Sequence, residues 1–240
     1  MKALSLACLL ALTCCVAPQY DKNQMPVPFV SADDPAVMPV QRTDPWWIER
    51  QADKISSITS GQKIILVGDS ITHGWEGTEA WDILKKKYDN KITNLGFSGD
   101  KTGNVIWRLT NGGFPPGSNP EYVILMIGTN NTDGGDDPKS TAAGIGKIIK
   151  IINEASPDTT IIVVSILPRG DKLLRLYNSR VNDIIRNFDS YNNVRYYDLG
   201  QFYTDQNGAL INAFYSADLL HLSPKGYLLW KDKILDLVGE

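Results

Sequence analysis

Cysteine is confined to the start of this 240-residue chain, where Cys8, Cys14 and Cys15 are the only three. The body from Val16 onward has none, which excludes a disulfide framework and a thiolate metal site there. Histidine is equally scarce, with His73 and His221 alone. Past the opening segment no apolar run reaches membrane-spanning length. No block of basic residues stands out and the formal net charge is −3, which argues against nucleic acid as a partner. There is no internal repeat and no low-complexity tract. Asp133, Asp136 and Asp137 cluster in a glycine-containing loop, but their spacing misses the calcium-loop pattern, so a solvated turn is expected and no metal.

What is present divides into a leader, an arm and one domain. Met1-Lys2, an apolar stretch from Ala3 to Leu12 and then small residues have the form of a signal peptide over 1–17. Cleavage after Ala17 would leave Pro18 next, whereas cleavage before Cys14 or Cys15 would suit attachment of a lipid. An exported protein is expected, periplasmic or at the cell surface if lipid-anchored, secreted if not. Residues 18–44 are rich in Pro, Asp and Ala, lack periodicity and read as an extended arm over the surface. The remainder, 45–240, reads as one globular domain with a large core, and the chain as a whole is 42% hydrophobic and 21% charged.

Within that domain strand and helix signals alternate. Apolar runs predict strands at 63–67, 91–95, 122–127, 160–167 and 194–199. Helical spacing predicts helices from Pro45, capped by Asp44, and at 79–88, 102–111, 138–155, 173–189 and 224–238. The third and fourth strands are almost wholly apolar, as in a parallel sheet covered on both faces. The fold class is therefore α/β, a three-layer sandwich with a parallel sheet of five strands and right-handed crossovers.

Four clusters fall at carboxyl strand ends or just before a helix, where open α/β sheets place their chemistry. The first is Gly68-Asp69-Ser70-Ile71-Thr72, directly after Ile64-Ile65-Leu66-Val67. Serine is a weak nucleophile unless a histidine base and an orienting acid stand beside it. Thr72 occupies the place of the second glycine in a Gly-x-Ser-x-Gly elbow, so this is a different motif. The second is Gly96-Phe97-Ser98-Gly99-Asp100-Lys101-Thr102. Its glycine spacing and the acidic Asp100 rule out a phosphate loop, and Ser98 or Asp100 would cap the helix that follows. The third is Gly128-Thr129-Asn130-Asn131, whose Asn130 amide is suited to donate to an oxyanion. Asn130-Asn131-Thr132 also spells a glycosylation acceptor, discounted beside a bacterial type of leader. The fourth is Asp218-Leu219-Leu220-His221, where residues three apart share a face of a turn or incipient helix, so that the carboxylate can hold one ring nitrogen while the other faces the serine. His73, one helical turn from Ser70, is read as cleft lining or a cap contact. Trp75, Trp81 and Trp107 are available near the cleft, with core packing favoured for Trp107 and Arg108 left to face either cleft or solvent.

From about residue 63 to the C-terminus, these motifs resemble the SGNH or GDSL hydrolases. The finer pattern resembles the branch of platelet-activating-factor acetylhydrolase catalytic subunits and bacterial carbohydrate acetyl esterases. Trp107-Arg108-Leu109, Leu167-Pro168-Arg169-Gly170, His221-Leu222-Ser223-Pro224 and Arg42-Thr43-Asp44-Pro45-Trp46-Trp47 carry that likeness. The resemblance implies a flavodoxin-like sheet with strand order 2-1-3-4-5. It also implies a serine esterase without cofactor, with Ser70, Asp218 and His221 as the triad and Ser70, Gly99 and Asn130 as the oxyanion hole. Asp69, His73, Trp75 and Asp100 are expected as substrate contacts. The expected substrate is a small-molecule or glycan ester, acetylated carbohydrate first, with a lipid acetyl ester as one alternative. An inactive glycan-binding surface protein is the other.

Overall fold

Each apolar run forms a strand close to where the sequence places it: β1 Ile64–Gly68, β2 Ile92–Gly96, β3 Tyr122–Met126, β4 Thr160–Val164 and β5 Val194–Tyr197. In this computed structural model, which describes residues 25–58, 61–189 and 191–239, the strands make one parallel sheet in the order β2-β1-β3-β4-β5. The leader with its three cysteines and the first residues of the arm lie outside the described residues.

Alternation along the strands sorts the core into two halves. Ile65, Val67, Val123, Leu125, Ile161 and Val163 point to one face. There they meet α4 (Thr102–Arg108), α6 (Pro138–Ala155) and α7 (Lys172–Ile185) through Val105, Ile145, Ile149 and Val181. Ile64, Leu66, Ile124, Met126, Ile162 and Val164 point to the other. They pack on α3 (Glu79–Lys87) and α8 (Pro224–Val238) through Leu84, Trp230 and Ile234. Each such side chain, fully buried, contributes about 1.5–3 kcal/mol, and with both faces covered the strands need no polar positions.

Two short helices follow strands without any periodic signal, being too brief to show one: α2 Ser70–His73 after β1 and α5 Thr129–Asp133 after β3. Because β2 and β3 flank β1, the chain leaves β1 and β3 toward opposite faces, and the crevice between α2 and α5 is the switch point of the sheet. The helix α1 (Pro45–Ser57) opens with Pro45 as expected, but Asp44 makes no capping bond because its carboxylate binds Arg42 Nε at 3.0 Å. Helix α4 ends at Arg108 rather than 111, since Asn111 and Gly112 take non-helical angles and close a wide turn over Leu109–Gly113. Neither Ser98 nor Asp100 caps α4; the cap position is Lys101, whose N–H is held by Asn104 Oδ1 at 2.9 Å.

Two tryptophans expected near the cleft are core residues instead. Trp75 is wholly buried, with ring centres 5.3 Å from Tyr227 and 5.1 Å from Trp230, so it is not a substrate contact. Trp81 is buried in the same cluster. Trp107, for which core packing is expected, is half-buried and packs on the buried Trp47 at 5.3 Å. Arg108 faces neither cleft nor solvent: it is fully buried, paired with Asp100 at 2.7 Å and stacked 3.9 Å over the Phe97 ring.

Candidate active site

The sharp exit from β1 is built around Gly68. A Cβ there would fall 2.1 Å from Thr72 Oγ1 and 2.4 Å from Met126 O, so only glycine lets α2 start so close to the neighbouring strand. Asp69 then caps α2 by accepting the Ile71 N–H at 3.0 Å. This leaves the next hydroxyl without a capping task, and Ser70 Oγ instead lies 2.8 Å from His221 Nε2. Asp69 is 1% exposed, so its side chain is a cap and not a substrate contact. Burial, reinforced by the Asp100 charge, pushes its carboxyl up to about 7 against the opposing pull of the Ile71 N–H.

His221 and Asp218 meet through a turn rather than a helix. Asp218 Oδ1 accepts the N–H groups of Leu220 and His221, both at 3.0 Å, and Oδ2 lies 2.6 Å from His221 Nδ1. The bond to His221, with the two backbone donors, lowers the Asp218 carboxyl to about 2. The turn requires Leu219 at φ 53°, a left-handed conformation that non-glycine residues seldom adopt. It is braced from the loop after β4. Gly170 N–H donates to Leu219 O at 2.8 Å, and Tyr215 Oη donates to Pro168 O at 2.7 Å. β4 ends at Val164 rather than 167, and the Ile166 backbone is taken by Asn182 instead: its N–H donates to Oδ1 at 2.8 Å and its carbonyl accepts from Nδ2 at 2.9 Å. No local signal in Leu167-Pro168-Arg169-Gly170 reveals this bracing duty, because the partner turn lies about fifty residues on.

On the opposite side stand Gly99 and Asn130. Gly99 is exposed with φ 81°, and its N–H has no acceptor among the described residues. Asn130, in the first turn of α5, donates one Nδ2 hydrogen to the Asp100 carbonyl at 2.9 Å, which aims the amide and leaves its second hydrogen unused. The neighbouring Asn131 is buried and structural, accepting Thr102 N–H at 3.0 Å. Asp100, expected to touch substrate, has its carboxylate sealed inside. It accepts from Trp47 Nε1 at 2.8 Å and Arg108 Nε at 2.7 Å. Burial pushes the Asp100 carboxyl up while Arg108 opposes the shift. Its contribution to the site is thus through its carbonyl.

His73 lies on the rim. Its Nδ1 is 2.9 Å from Ser98 Oγ and its ring stacks on Trp46 at 6.2 Å, with an angle of 19° between planes. Burial, with Arg50 and Lys54 nearby, lowers its pKa and favours the neutral ring. Trp46 is 39% exposed and is a rim residue that no sequence signal separated from its buried neighbour Trp47. The acidic loop after α5 is consumed by structure. Asp133 meets Arg169, Asp136 meets Lys101, both at 3.3 Å, and Asp137 caps α6. A cavity of about 850 Å³ lies between the arm and α6, and Ser70, Asp218 and His221 do not line it. The reacting groups stand at the surface, with the His221 and Asp218 side chains 39% and 50% exposed.

Such an arrangement can abstract a proton from a hydroxyl and hold a negative oxygen, the two needs of acyl transfer. Comparison with known proteins points the same way. Residues 66–229 match the GDSL-like Lipase/Acylhydrolase family. The chain is 30% identical over 212 residues to platelet-activating factor acetylhydrolase IB subunit alpha2 of Rattus norvegicus, covering 87% of each. Among solved structures it is similar to a GDSL-like lipase from Bacteroides thetaiotaomicron, with TM-score 0.65 and 18% identity over 80% of this chain and 96% of that one. It is also similar to a catalytic mutant of an acetylxylan esterase from Geobacillus stearothermophilus, with TM-score 0.59 and 18% identity over 76% and 96%. Matched along most of its length in both sequence and fold, the chain belongs to the GDSL-like lipase/acylhydrolase family and is a carboxylic ester hydrolase.

Proposed function

We propose that this hydrolase removes acetyl groups from carbohydrate through an acyl-enzyme on Ser70. The observation that carries the reading is the unbroken relay of short contacts, Ser70 Oγ to His221 Nε2 at 2.8 Å and His221 Nδ1 to Asp218 Oδ2 at 2.6 Å. In this reading His221 takes the hydroxyl proton as Oγ attacks the ester carbonyl. Asp218 holds the ring in the right tautomer and stabilises the imidazolium. The oxyanion is met by the N–H groups of Ser70 and Gly99 and by the free hydrogen of the Asn130 amide. When the tetrahedral intermediate collapses, the sugar oxygen leaves with the proton from His221. Water then attacks the acetyl-serine and His221 takes its proton; as the bond from the acyl carbon to Oγ breaks, His221 returns the proton to Ser70 and acetate departs.

Carbohydrate is favoured by the rim. Trp46, 39% exposed, and His73, whose Nδ1 lies 2.9 Å from Ser98 Oγ, put aromatic surface at the rim, and aromatic surface suits sugar rings. The second reading, a lipid acetyl ester, draws support from the sequence likeness to acetylhydrolase subunits. Assays on p-nitrophenyl esters followed by acetate release from acetylated xylan, acetylated sialic acid and a short-chain phospholipid separate them. The expected result is a p-nitrophenyl acetate rate at least about 10-fold above that of the octanoate, with acetate released from an acetylated sugar. Release from the phospholipid alone would favour the lipid reading, and no turnover at all would leave a binding protein.

Asn130→Ala tests the oxyanion assignment. Loss of one such donor is expected to lower kcat by about 10²–10³ with KM little changed. A defect confined to KM would remove Asn130 from that role.

A further inference from the structure

The arm before α1 reaches the oxyanion side of the site. We propose that Arg42 is a positioning residue that fixes the direction of the Gly99 N–H. This inference rests on the reading above, in which that N–H meets the oxyanion. Arg42 Nη1 donates to the Ser98 carbonyl at 2.7 Å. The Ser98 carbonyl and the Gly99 N–H belong to one peptide unit, and in a trans peptide the two point in opposite directions. Holding the carbonyl toward Arg42 therefore turns the N–H to the other side of the loop, the side on which the reading above needs it. The turn is closed by Asp100 N–H to Phe97 O at 3.1 Å, which leaves its central peptide free to take either direction, and among the described residues Arg42 is the one that bonds that peptide. Gly99 is exposed, takes a positive φ and as glycine can reach either sign, so this peptide is free to flip. A flip would put the carbonyl oxygen where the oxyanion must form.

Arg42 is itself held in place. Its Nε donates to Asp44 at 3.0 Å, its guanidinium lies 5.3 Å from the Trp46 ring centre, and Nη1 is 3.6 Å from Asp100 Oδ1. The backbone on which it rides is pinned to α4. Val40 N–H donates to Gly103 O, Asn104 Nδ2 donates to Val40 O, both at 2.9 Å, and Thr102 Oγ1 donates to Ala36 O at 2.8 Å. A Cβ on Gly103 would meet Pro35 O and Met38 O at 2.7 Å, so α4 carries a glycine where the arm must lie against it. Two further donors from α1 hold the same loop on either side of Ser98: Arg50 Nε to Gly96 O at 3.0 Å and Trp47 Nε1 to Asp100 at 2.8 Å. Arg42 is the member of this set that bonds the peptide carrying the oxyanion donor.

The test is steady-state kinetics of Arg42→Ala on p-nitrophenyl acetate, with circular dichroism to count folded protein. The expected result is a 10- to 100-fold fall in kcat per folded molecule, below the full loss of one donor of about 10²–10³. KM should stay within about twofold, because the ground-state carbonyl does not depend on the oxyanion contact. Low-millimolar guanidinium should restore part of the rate, and Arg42→Lys, which keeps a donor for the Ser98 carbonyl, should lie between parent and Arg42→Ala. A parental kcat in Arg42→Ala would overturn the proposal, as would a loss that neither guanidinium nor lysine relieves. Ser70→Ala measured alongside separates the two levels: an active Ser70→Ala refutes the reading of the site, whereas an inactive one with a fully active Arg42→Ala refutes only the role of Arg42.

Discussion

Ser70→Ala is expected to lower kcat/KM on an acetyl ester by about 10⁴–10⁶-fold while leaving the fold unchanged. The two halves of that expectation come from separate features. The chemistry needs an oxygen at 2.8 Å from His221 Nε2, and among the described residues no other hydroxyl bonds that nitrogen. The fold does not need it, because Asp69 and not Ser70 caps α2. Removing a half-buried hydroxyl whose recorded partner is the base costs about 1 kcal/mol in stability. Rates on p-nitrophenyl acetate and a thermal melt check both halves. Parental turnover in this variant would show that Ser70 is not the nucleophile.

Asp218→Asn is expected to cost about 10⁴-fold in kcat, nearly as much, through the tautomer of His221. Two backbone N–H groups converge on Oδ1, those of Leu220 and His221. In the variant the amide oxygen must stay with those donors, so the NH₂ takes the place of Oδ2, 2.6 Å from His221 Nδ1. Two donors cannot face each other, and Nδ1 must give up its hydrogen and accept. The ring proton then sits on Nε2, pointing at Ser70 Oγ, and the base is blocked. Geometry is retained and chemistry is lost. The nitrogen chemical shifts of His221 report the tautomer directly. A variant with parental kcat and an unchanged tautomer would show that another group orients the ring.

Much of the candidate site was legible because its parts lie at ends of strands. Ser70, Gly99 and Asn130 each follow an apolar run within a few residues, and parallel strands carry all such ends to one edge. The short Asp218 to His221 spacing pointed to a pair, though the residues come together through an Asp-capped turn with Leu219 left-handed, and not through a shared helical face. The substrate contacts were harder. Asp69, Trp75 and Asp100 sit in or beside the motifs, and proximity in sequence suggested proximity to substrate, yet all three are buried. Side chains alternate across a strand or turn, so neighbours of a reactive residue commonly point into the protein.

By itself the sequence determined the architecture and pointed to the candidate reactive groups, since local spacing dictates strands, helices and the loops between them. Tertiary structure alone decided which side chains face the cleft and which lock it from behind. Arg42 and Gly99 are 57 residues apart, as are Gln51 and Arg108, whose carbonyl Gln51 binds at 3.1 Å. Asp100 is expected from the sequence to touch substrate and Arg108 to face cleft or solvent, and the two form a buried link instead. No periodicity encodes such contacts, because they depend on how separate elements dock and not on the pattern within any one of them.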